Sequence, residues 1–533
     1  MGDEGHLRIR GAAADTGRAL VQRKLAEQAF SRAAGAPLVP GNRVALLRNA
    51  EENYPAWLEA IRGARRYILF ESYIFANDEV GQIFGDALIE RAKAGVRIHL
   101  LYDWLGTSWG RRLWAALRAA GADVRCFNPP RFDSPLAWLI RDHRKMIVVD
   151  GDVGFVSGLC VSARWLGKPP KGIEPWRDTG ISIRGPAVAD LEEAFAQVWA
   201  EAGPPLAEEI LHHDRPAVPV GDVAVRVVAT MPRVAGLYRL DQLIASLARR
   251  RLWLTDAYFV GVAPYVQALR AAAQDGVDVR LLVPSASDIP ILSLLGRAGY
   301  RPLLEGGVRV FEWNGSMLHA KTAVADDRWA RVGSTNLNLA SFLTNYELDV
   351  AVEDQDFATR MADMYEEDLR GATEIVLARH SVRRARPQGI QDVKDRPAAR
   401  TLRSPRGSAR RAAVGALSLS SAVGAAMTDR RVLGPAEGRL LVFAATILIG
   451  LGAVGFVWPW ALAVPFAVAS AWLGITLLIR ALRLFSESRS KRASVKDVIP
   501  KPRRAKRERR SSKTTVAESP APPPVELPAP PGQ

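Results

Sequence analysis

The feature that most constrains this chain of 533 residues is an internal repeat. Three segments of the first half recur in the same order in the second half, displaced by about 180 residues. The pairs are RRYILFESYIF with RRRLWLTDAYFV, GVRIHLLYD with GVDVRLLVP, and HRKMIVVD with HAKTAVAD. One similarity could arise by chance, but three in one order indicate a duplicated unit of ordinary domain size.

Both halves alternate short apolar runs with helical patterns, which predicts an α/β fold with a sheet covered on both faces. The predicted domains are 41–205 and 220–376, preceded by an N-terminal helical extension over 1–40. Apolar runs predict strands at 66–75, 96–102, 122–127, 146–149, 153–157, 252–259, 277–283, 307–312 and 346–353.

The region after residue 380 has a different composition. A basic linker is predicted at 381–434 and a basic, Pro-rich disordered tail at 486–533. Between them, residues 440–479 contain no charged side chain, and this length fits two membrane passes, predicted at 438–482. Val457–Trp460 would form the turn; a buried core helix pair is the alternative.

Arginines flank this apolar segment on both sides, and the predicted turn has no Lys or Arg. The flanking arginines are Arg430, Arg431, Arg439, Arg480 and Arg483. The positive-inside rule therefore places both ends in the cytoplasm. A third pass at 412–428, rich in Ala, Gly and Ser, is the alternative that would separate the two ends.

The net charge of +16 is confined to the C-terminal region. Residues 380–533 hold 27 Lys+Arg and 9 Asp+Glu, which leaves 45 and 47 in residues 1–379. Because the front part has no positive excess, we expect no nucleic-acid partner there. The basic tail suits an anionic membrane surface.

The pattern H-x-K-x4-D occurs in both halves, at His143/Lys145/Asp150 and at His319/Lys321/Asp326. On a strand, residues two apart face the same way, so each imidazole lies beside an ammonium. An imidazole that attacks or protonates and a cation that neutralises phosphoryl oxygens suit a phosphodiester. All six residues are predicted to be catalytic. Zinc binding lacks a third and fourth ligand at sensible spacing, so no metal or cofactor is expected.

Other polar residues accompany the two motifs. Ser157, Ser334 and Asn336 can donate hydrogen bonds and are predicted to bind phosphate. Asp178 and Glu347 are predicted to hold a ring nitrogen of each histidine; a surface strand charge is the alternative for both.

These residues resemble the phospholipase D superfamily, whose signature is the paired H-x-K-x4-D motif. Within it, FESYIF, HRKMIVVDG, MLHAKTAVAD, RVGSTNLN and NYELDVAV are similar to the bacterial cardiolipin synthases over about residues 40–375. The resemblance implies two duplicated phospholipase D-type domains, each a mixed sheet flanked by helices, with the active site between them. One departure is Ser157-Gly158-Leu159-Cys160, where the family commonly has G-G-x-N.

The resemblance also implies a two-step phosphatidyl transfer without metal. His143 would attack the phosphorus to form a phosphohistidine, and His319 would act as acid and base. The donor would be phosphatidylglycerol or a similar phospholipid, and the product cardiolipin. The relatives do not supply the membrane anchor, because many of them carry theirs at the N-terminus or lack one. The placement of the arginines is what puts the catalytic domain on the cytoplasmic side of a bacterial inner membrane.

Three other functions stay open. A phospholipase D would use water as the acceptor, a nuclease would cut nucleic acid, and a scaffold would do no chemistry. The acceptor and the oligomeric state do not follow from the sequence.

Overall fold

The structure of this chain, a computed structural model, describes residues 26–107, 110–130, 139–207, 209–210 and 218–377, together with parts of 442–479. The predicted linker, the disordered tail, the flanking arginines and the alternative pass at 412–428 lie outside the described residues, as do residues 1–25 of the N-terminal extension. Among the described residues the architecture is mixed α/β, so the coarse prediction of the fold class is confirmed.

Fifteen strands form one sheet. In the first half they are β1 Val39–Arg48, β2 Tyr67–Ser72, β3 Arg97–Asp103, β4 Asp123–Phe127, β5 Lys145–Val149, β6 Val153–Ser157 and β7 Thr179–Arg184. In the second half they are β8 Val223–Thr230, β9 Arg251–Thr255, β10 Asp278–Pro284, β11 Arg309–Trp313, β12 Thr322–Ala325, β13 Trp329–Gly333, β14 Glu347–Glu353 and β15 Ala372–Ile375.

Eleven α-helices and one short 3-10 helix, Pro169–Lys171, connect or flank these strands within the described part of residues 26–377. The α-helices are α1 26–34, α2 Asn49–Gly63, α3 Glu79–Lys93, α4 Arg111–Ala119, α5 Val188–Glu201, α6 Gly236–Leu247, α7 Ala263–Gln274, α8 Pro290–Ala298, α9 Tyr300–Glu305, α10 Leu339–Leu343 and α11 Gln355–Arg370.

The order of strands in the first half, β4-β3-β2-β5-β6-β7-β1, has the same pattern as β11-β10-β9-β12-β13-β14-β8 in the second. In each half three neighbouring strands run parallel and the rest antiparallel. The halves join where β1 and β8 begin, through an irregular pairing of Val39 with Val225 and Asn42 with Val223. The sequence did not predict β1 or β8, although these strands link the halves.

One hydrophobic core contains residues from both halves. Helices α5 and α11 contribute Phe195, Trp199, Phe357 and Met361, all fully buried. Burying each side chain stabilises the fold by roughly 1.5–3 kcal/mol. The start of α11 is fixed because the Asp354 side chain accepts a hydrogen bond of 2.8 Å from the amide of Phe357.

The loops that carry the predicted chemistry lie at one end of each half of the sheet. At this end Ser72 pairs with Lys145, Ser157 with Gly180, and Glu347 with Thr230. The corresponding end of β9 and β12 carries Thr255 paired with Thr322. We call this the histidine end of each half, because both H-x-K motifs lead into the strands there.

The described part of 442–479 is helical, with an interruption at Trp458 inside the predicted turn. The helix over Pro459–Thr476 is long and apolar enough to cross a membrane, judged by its length and composition alone. Its Thr476 hydroxyl donates to the carbonyl of Trp472 at 2.8 Å, which satisfies that polar group within the helix.

Candidate active site

Two short backbone bridges join the histidine ends of the two halves. The amide of His143 donates to the carbonyl of Tyr346 at 2.9 Å, and the amide of His319 donates to the carbonyl of Arg177 at 2.7 Å. Tyr346 precedes Glu347 and Arg177 precedes Asp178, so each histidine lies beside the carboxylate of the other half. The Arg177 bridge is held further by bidentate hydrogen bonds of 2.8 Å to Asp368 of α11.

His143 is oriented by Glu347. Its Nδ1 lies 2.9 Å from Glu347 Oε2, which also accepts a hydrogen bond of 2.6 Å from the Ser334 hydroxyl. Burial lowers the pKa of His143 and outweighs the opposing effect of Glu347. Burial alone would raise the pKa of Glu347, but His143, Lys145 and Ser334 bring it below its ordinary value. Glu347 is therefore an anion that holds Nδ1 and leaves Nε2 for chemistry.

His319 is oriented by Asp178. Its Nδ1 lies 2.8 Å from Asp178 Oδ2, which also accepts a hydrogen bond of 2.8 Å from the indole of Trp165. Burial, followed by the charge of Lys321, lowers the pKa of His319 to about 4, although Asp178 opposes both. Asp178 is also an anion: burial would raise its pKa, but His319, Lys321 and the Trp165 indole lower it.

Each lysine lies beside its own histidine, as the spacing predicted. Lys321 Nζ is 3.0 Å from Nε2 of His319 and donates to the carbonyl of that residue. Burial lowers the pKa of Lys321 to about 8, with Asp178 acting in the opposite direction. Lys145 Nζ donates to the carbonyl of His143. Lys321 also lowers the pKa of His143, and Lys145 that of His319, so the two motifs share one electrostatic environment.

Aromatic rings surround the imidazoles unequally. Tyr73 lies edge-on to His143 with ring centroids 4.9 Å apart. Around His319 stand Trp165, Tyr258 and Trp176, at 5.4, 5.8 and 5.7 Å. Such rings exclude water and strengthen the electrostatic interactions inside the site.

The predicted phosphate-binding residues are all buried, but their side chains differ in direction. The Ser334 hydroxyl donates to Glu347 and accepts from the amide of Leu348, so it positions the carboxylate. The Ser157 hydroxyl donates to the carbonyl of Leu159 at 3.2 Å. Asn336 is 5% exposed, and its Oδ1 has no protein hydrogen-bond partner among the described residues. The amide oxygen of Asn336 is an acceptor, so it suits a hydroxyl donor and not a phosphate oxygen.

Asp150 and Asp326, which the sequence predicts to be catalytic, do not lie with the histidines. Each stands beyond the far end of its strand, roughly 20 Å along the chain from the histidine of its motif. Asp150 accepts hydrogen bonds from the amides of Arg65, Arg66 and Tyr67 at 2.7–2.9 Å. Asp326 does the same for residues 249–251 at 2.8–3.0 Å. Both carboxylates hold the start of a neighbouring strand.

Replacing Asp150 by alanine is therefore expected to lower stability, by about 2–4 kcal/mol, because three backbone amides lose a charged acceptor. Asp150 also has φ of 56°, which asparagine tolerates and alanine does not. Thermal unfolding should consequently show a smaller loss for Asp150→Asn. The matched control is Asp152→Ala, at a side chain 65% exposed. An Asp150→Asn variant that melts normally but has no turnover would contradict this structural role.

Sequence reasoning missed two residues that position the site. Arg144 is fully buried and donates to the carbonyls of Glu347, Ala194 and Thr230, which ties β5 to β14, α5 and β8. The only indication of this role in the sequence is that the first motif reads H-R-K at 143–145 where the second reads H-A-K at 319–321. Trp165 lies in a loop that contains no recognisable motif, and nothing in the sequence indicates its hydrogen bond to Asp178.

Among the described residues, no group of three or more His, Cys, Asp or Glu is placed to hold a metal ion. What the residues present can do follows from their geometry. Each imidazole has a carboxylate on Nδ1 and an ammonium close by. One of them can act as the nucleophile at an anionic phosphorus centre while the other acts as acid and then as base.

Comparison with known proteins gives a consistent result. Residues 57–199 and 240–369 match the family described as cardiolipin synthase, PLD-like domain. Cardiolipin synthase A of Pseudomonas aeruginosa is 36% identical over 375 residues, covering 68% of this chain and 74% of that protein. Cardiolipin synthase of Geobacillus kaustophilus is 34% identical over 348 residues, covering 64% and 68%.

A solved structure has a similar fold. It is the crystal structure of phosphatidylserine synthase from Haemophilus influenzae, with a TM-score of 0.52 and 15% sequence identity. The match covers 65% of this chain and 91% of that one. At this identity the likeness concerns the fold alone.

Proposed function

Because this chain belongs to the cardiolipin synthase family of phospholipase D-like proteins, we propose that it transfers a phosphatidyl group between two phosphatidylglycerol molecules. The products are cardiolipin and glycerol. The observation that carries this proposal is the pair of imidazoles, His143 and His319, each held at Nδ1 by a carboxylate of the other half.

In the first step, Nε2 of His143 attacks the phosphorus of a bound phosphatidylglycerol. A P–N bond forms and the bond from phosphorus to the glycerol oxygen breaks. His319 gives its proton to that oxygen, and free glycerol leaves. Lys145 and Lys321 neutralise the phosphoryl oxygens while the charge builds up.

In the second step, neutral His319 takes the proton from a hydroxyl of a second phosphatidylglycerol. The oxygen attacks the phosphohistidine, the P–N bond breaks, and His143 is restored. His319 must be protonated in the first step, although burial and the charge of Lys321 lower its pKa to about 4. An anionic phosphodiester that binds between the lysines raises that pKa, so the substrate itself promotes protonation.

Incubating the purified protein with labelled phosphatidylglycerol in detergent micelles tests the activity. We expect cardiolipin and glycerol in equal amounts on thin-layer chromatography, and added glycerol should drive the reaction back towards phosphatidylglycerol. The His143→Ala variant is the control for contaminating activity. Phosphatidic acid as the only labelled product would assign a hydrolase and contradict the transfer.

The repeated motifs and the matching strand order of the two halves support two duplicated domains, 41–205 and 220–376. Neither would complete the site alone, since each supplies one histidine and the carboxylate for the other. The N-terminal extension over 1–40 would stand before the first domain.

We further propose that residues 438–482 form a membrane hairpin in the bacterial inner membrane, with the catalytic domains and the basic tail on its cytoplasmic side. The support is the apolar helix Pro459–Thr476, the helix interruption at Trp458, and the flanking arginines. Single cysteines at positions 400 and 515 should both resist a membrane-impermeant maleimide until the cells are opened. Labelling of only one position in intact cells would mean an odd number of membrane passes between residues 400 and 515 and would contradict this topology.

A further inference from the structure

Exposed apolar side chains gather at the histidine ends of the sheet. Single exposed apolar residues are ordinary on a protein surface, so their distribution is what matters. Nine of the fifteen large ones in the described part of 26–377 follow or precede a strand at this end. They are Trp104, Leu105, Leu139, Leu166, Ile173, Val234, Ile289, Leu339 and Leu343. Large exposed apolar side chains are therefore more numerous at this end than at the opposite end, which carries five.

The 164–176 segment, between β6 and β7, includes two of these residues and reaches the site through the contacts of Trp165 and Trp176 with His319. Its Leu166 and Ile173 are 39% and 54% exposed, while Trp165 is fully buried beside His319. Trp176 is partly buried, with its ring 5.7 Å from that of His319. Ile173 is three positions before Trp176, at most about 10 Å along the chain. A surface that contacts Ile173 therefore lies close to His319.

Basic residues interrupt the apolar ones in this segment. Arg164, Lys168 and Lys171 are exposed, against one acidic residue, Glu174. The ion pair of Lys168 with Glu79 at 3.1 Å joins two side chains that are about half exposed, and such pairs contribute little. Apolar side chains alternating with cations are typical of surfaces that enter the interface of an anionic bilayer.

From these positions we infer that the 164–176 segment docks the catalytic part of this chain on an anionic bilayer, with Leu166 and Ile173 entering the acyl boundary. This rests on the proposed function, which supplies a lipid substrate. When the segment is docked, the His319 side of the active site faces the bilayer. The headgroup of a lipid then moves only a short distance from the membrane surface to the imidazoles, while its acyl chains stay in the membrane.

A fluorescent probe tests the docking without any need for turnover. The full chain, with Cys126→Ser, receives a cysteine-linked probe at Ile173→Cys or at Leu247→Cys, which is 50% exposed and at the opposite end of the sheet. Both proteins are reconstituted in vesicles of phosphatidylglycerol and phosphatidylethanolamine. Nitroxide-labelled lipid should quench the probe at 173 by about two-fold or more and leave the probe at 247 nearly unchanged. Equal quenching at both positions, or none at 173, overturns the proposal.

Charge and turnover give a second measurement. Lys171→Glu should lower the ratio of vesicle turnover to micelle turnover by about three-fold or more, whereas Arg249→Glu, at the opposite end, should leave that ratio unchanged. An equal fall in both variants would contradict a local docking surface. If the probe signal at 173 follows protein concentration in detergent without vesicles, a second copy of this chain covers the segment and the proposal is wrong. The probe experiment reads out even if the parent chain makes no cardiolipin, so the two proposals fail separately.

Discussion

Replacing either His143 or His319 by alanine is expected to lower turnover by about a thousand-fold or more. One imidazole supplies the nucleophile and the other the proton, and no remaining group can replace either. The two losses should not add, because the residues act in one reaction cycle. Steady-state rates of cardiolipin formation in micelles measure the effect.

Both histidines are buried, at 8% and 5% exposure, and alanine leaves the carboxylate of Glu347 or Asp178 without its imidazole partner, so a modest loss of stability is expected. Melting temperature is the control. A variant that kept more than about one hundredth of the normal rate would contradict a mechanism with two histidines. The roles can then be separated with His319→Asn, which should slow breakdown of the intermediate more than its formation. Acid-labile label from a phosphate-labelled donor should map to the His143 peptide; label on the peptide of residue 319 would reverse the roles.

The second large effect is expected for Glu347→Gln and Asp178→Asn, each lowering turnover by about 10²–10⁴-fold. Each amide is close in shape to the acid it replaces, but it removes the charge that stabilises the imidazolium and can hold the wrong tautomer. Since Glu347 raises the pKa of His143 against the effect of burial, its removal lowers that pKa further. Asp178→Asn should lower the pKa of His319 in the same way.

The crossed pairing makes this prediction specific. Titration of labelled histidines by NMR should show that Glu347→Gln shifts His143 and leaves His319 nearly unchanged, and that Asp178→Asn does the reverse. If each substitution instead shifted the histidine of its own half, the arrangement across the two halves would be wrong. Melting temperatures check that the buried carboxamides have not loosened the site.

The family predicted from the paired motifs is confirmed by the match over 57–199 and 240–369, and the α/β class by the sheet. The two-residue spacing on an extended chain was enough to put Lys321 beside His319, although both residues precede β12. The partner of each carboxylate was not predictable in the same way. It depends on how the halves meet, through backbone bridges at Tyr346 and Arg177 that leave no side-chain pattern.

The positions of Asp150 and Asp326, away from both histidines, show a second limit of sequence reasoning. A motif shows which residues recur together, and residues recur either because they take part in the reaction or because they hold the fold. In this fold the acid that closes the motif fixes the start of a neighbouring strand through three amides. Arg144 could not be assigned either, since its three carbonyl partners come from distant parts of the chain.

The crossed pairing also affects the protein during its synthesis. His143 and Glu347 are 204 residues apart in sequence. At about 5–20 residues per second, the ribosome needs on the order of 10–40 s to add the second after the first. Throughout that interval the nascent chain carries the imidazole of His143 without its carboxylate, and for most of it the second imidazole, His319, has not yet been made. The growing chain therefore cannot react with a phospholipid at the membrane until translation has passed Glu347 and the two halves have packed together.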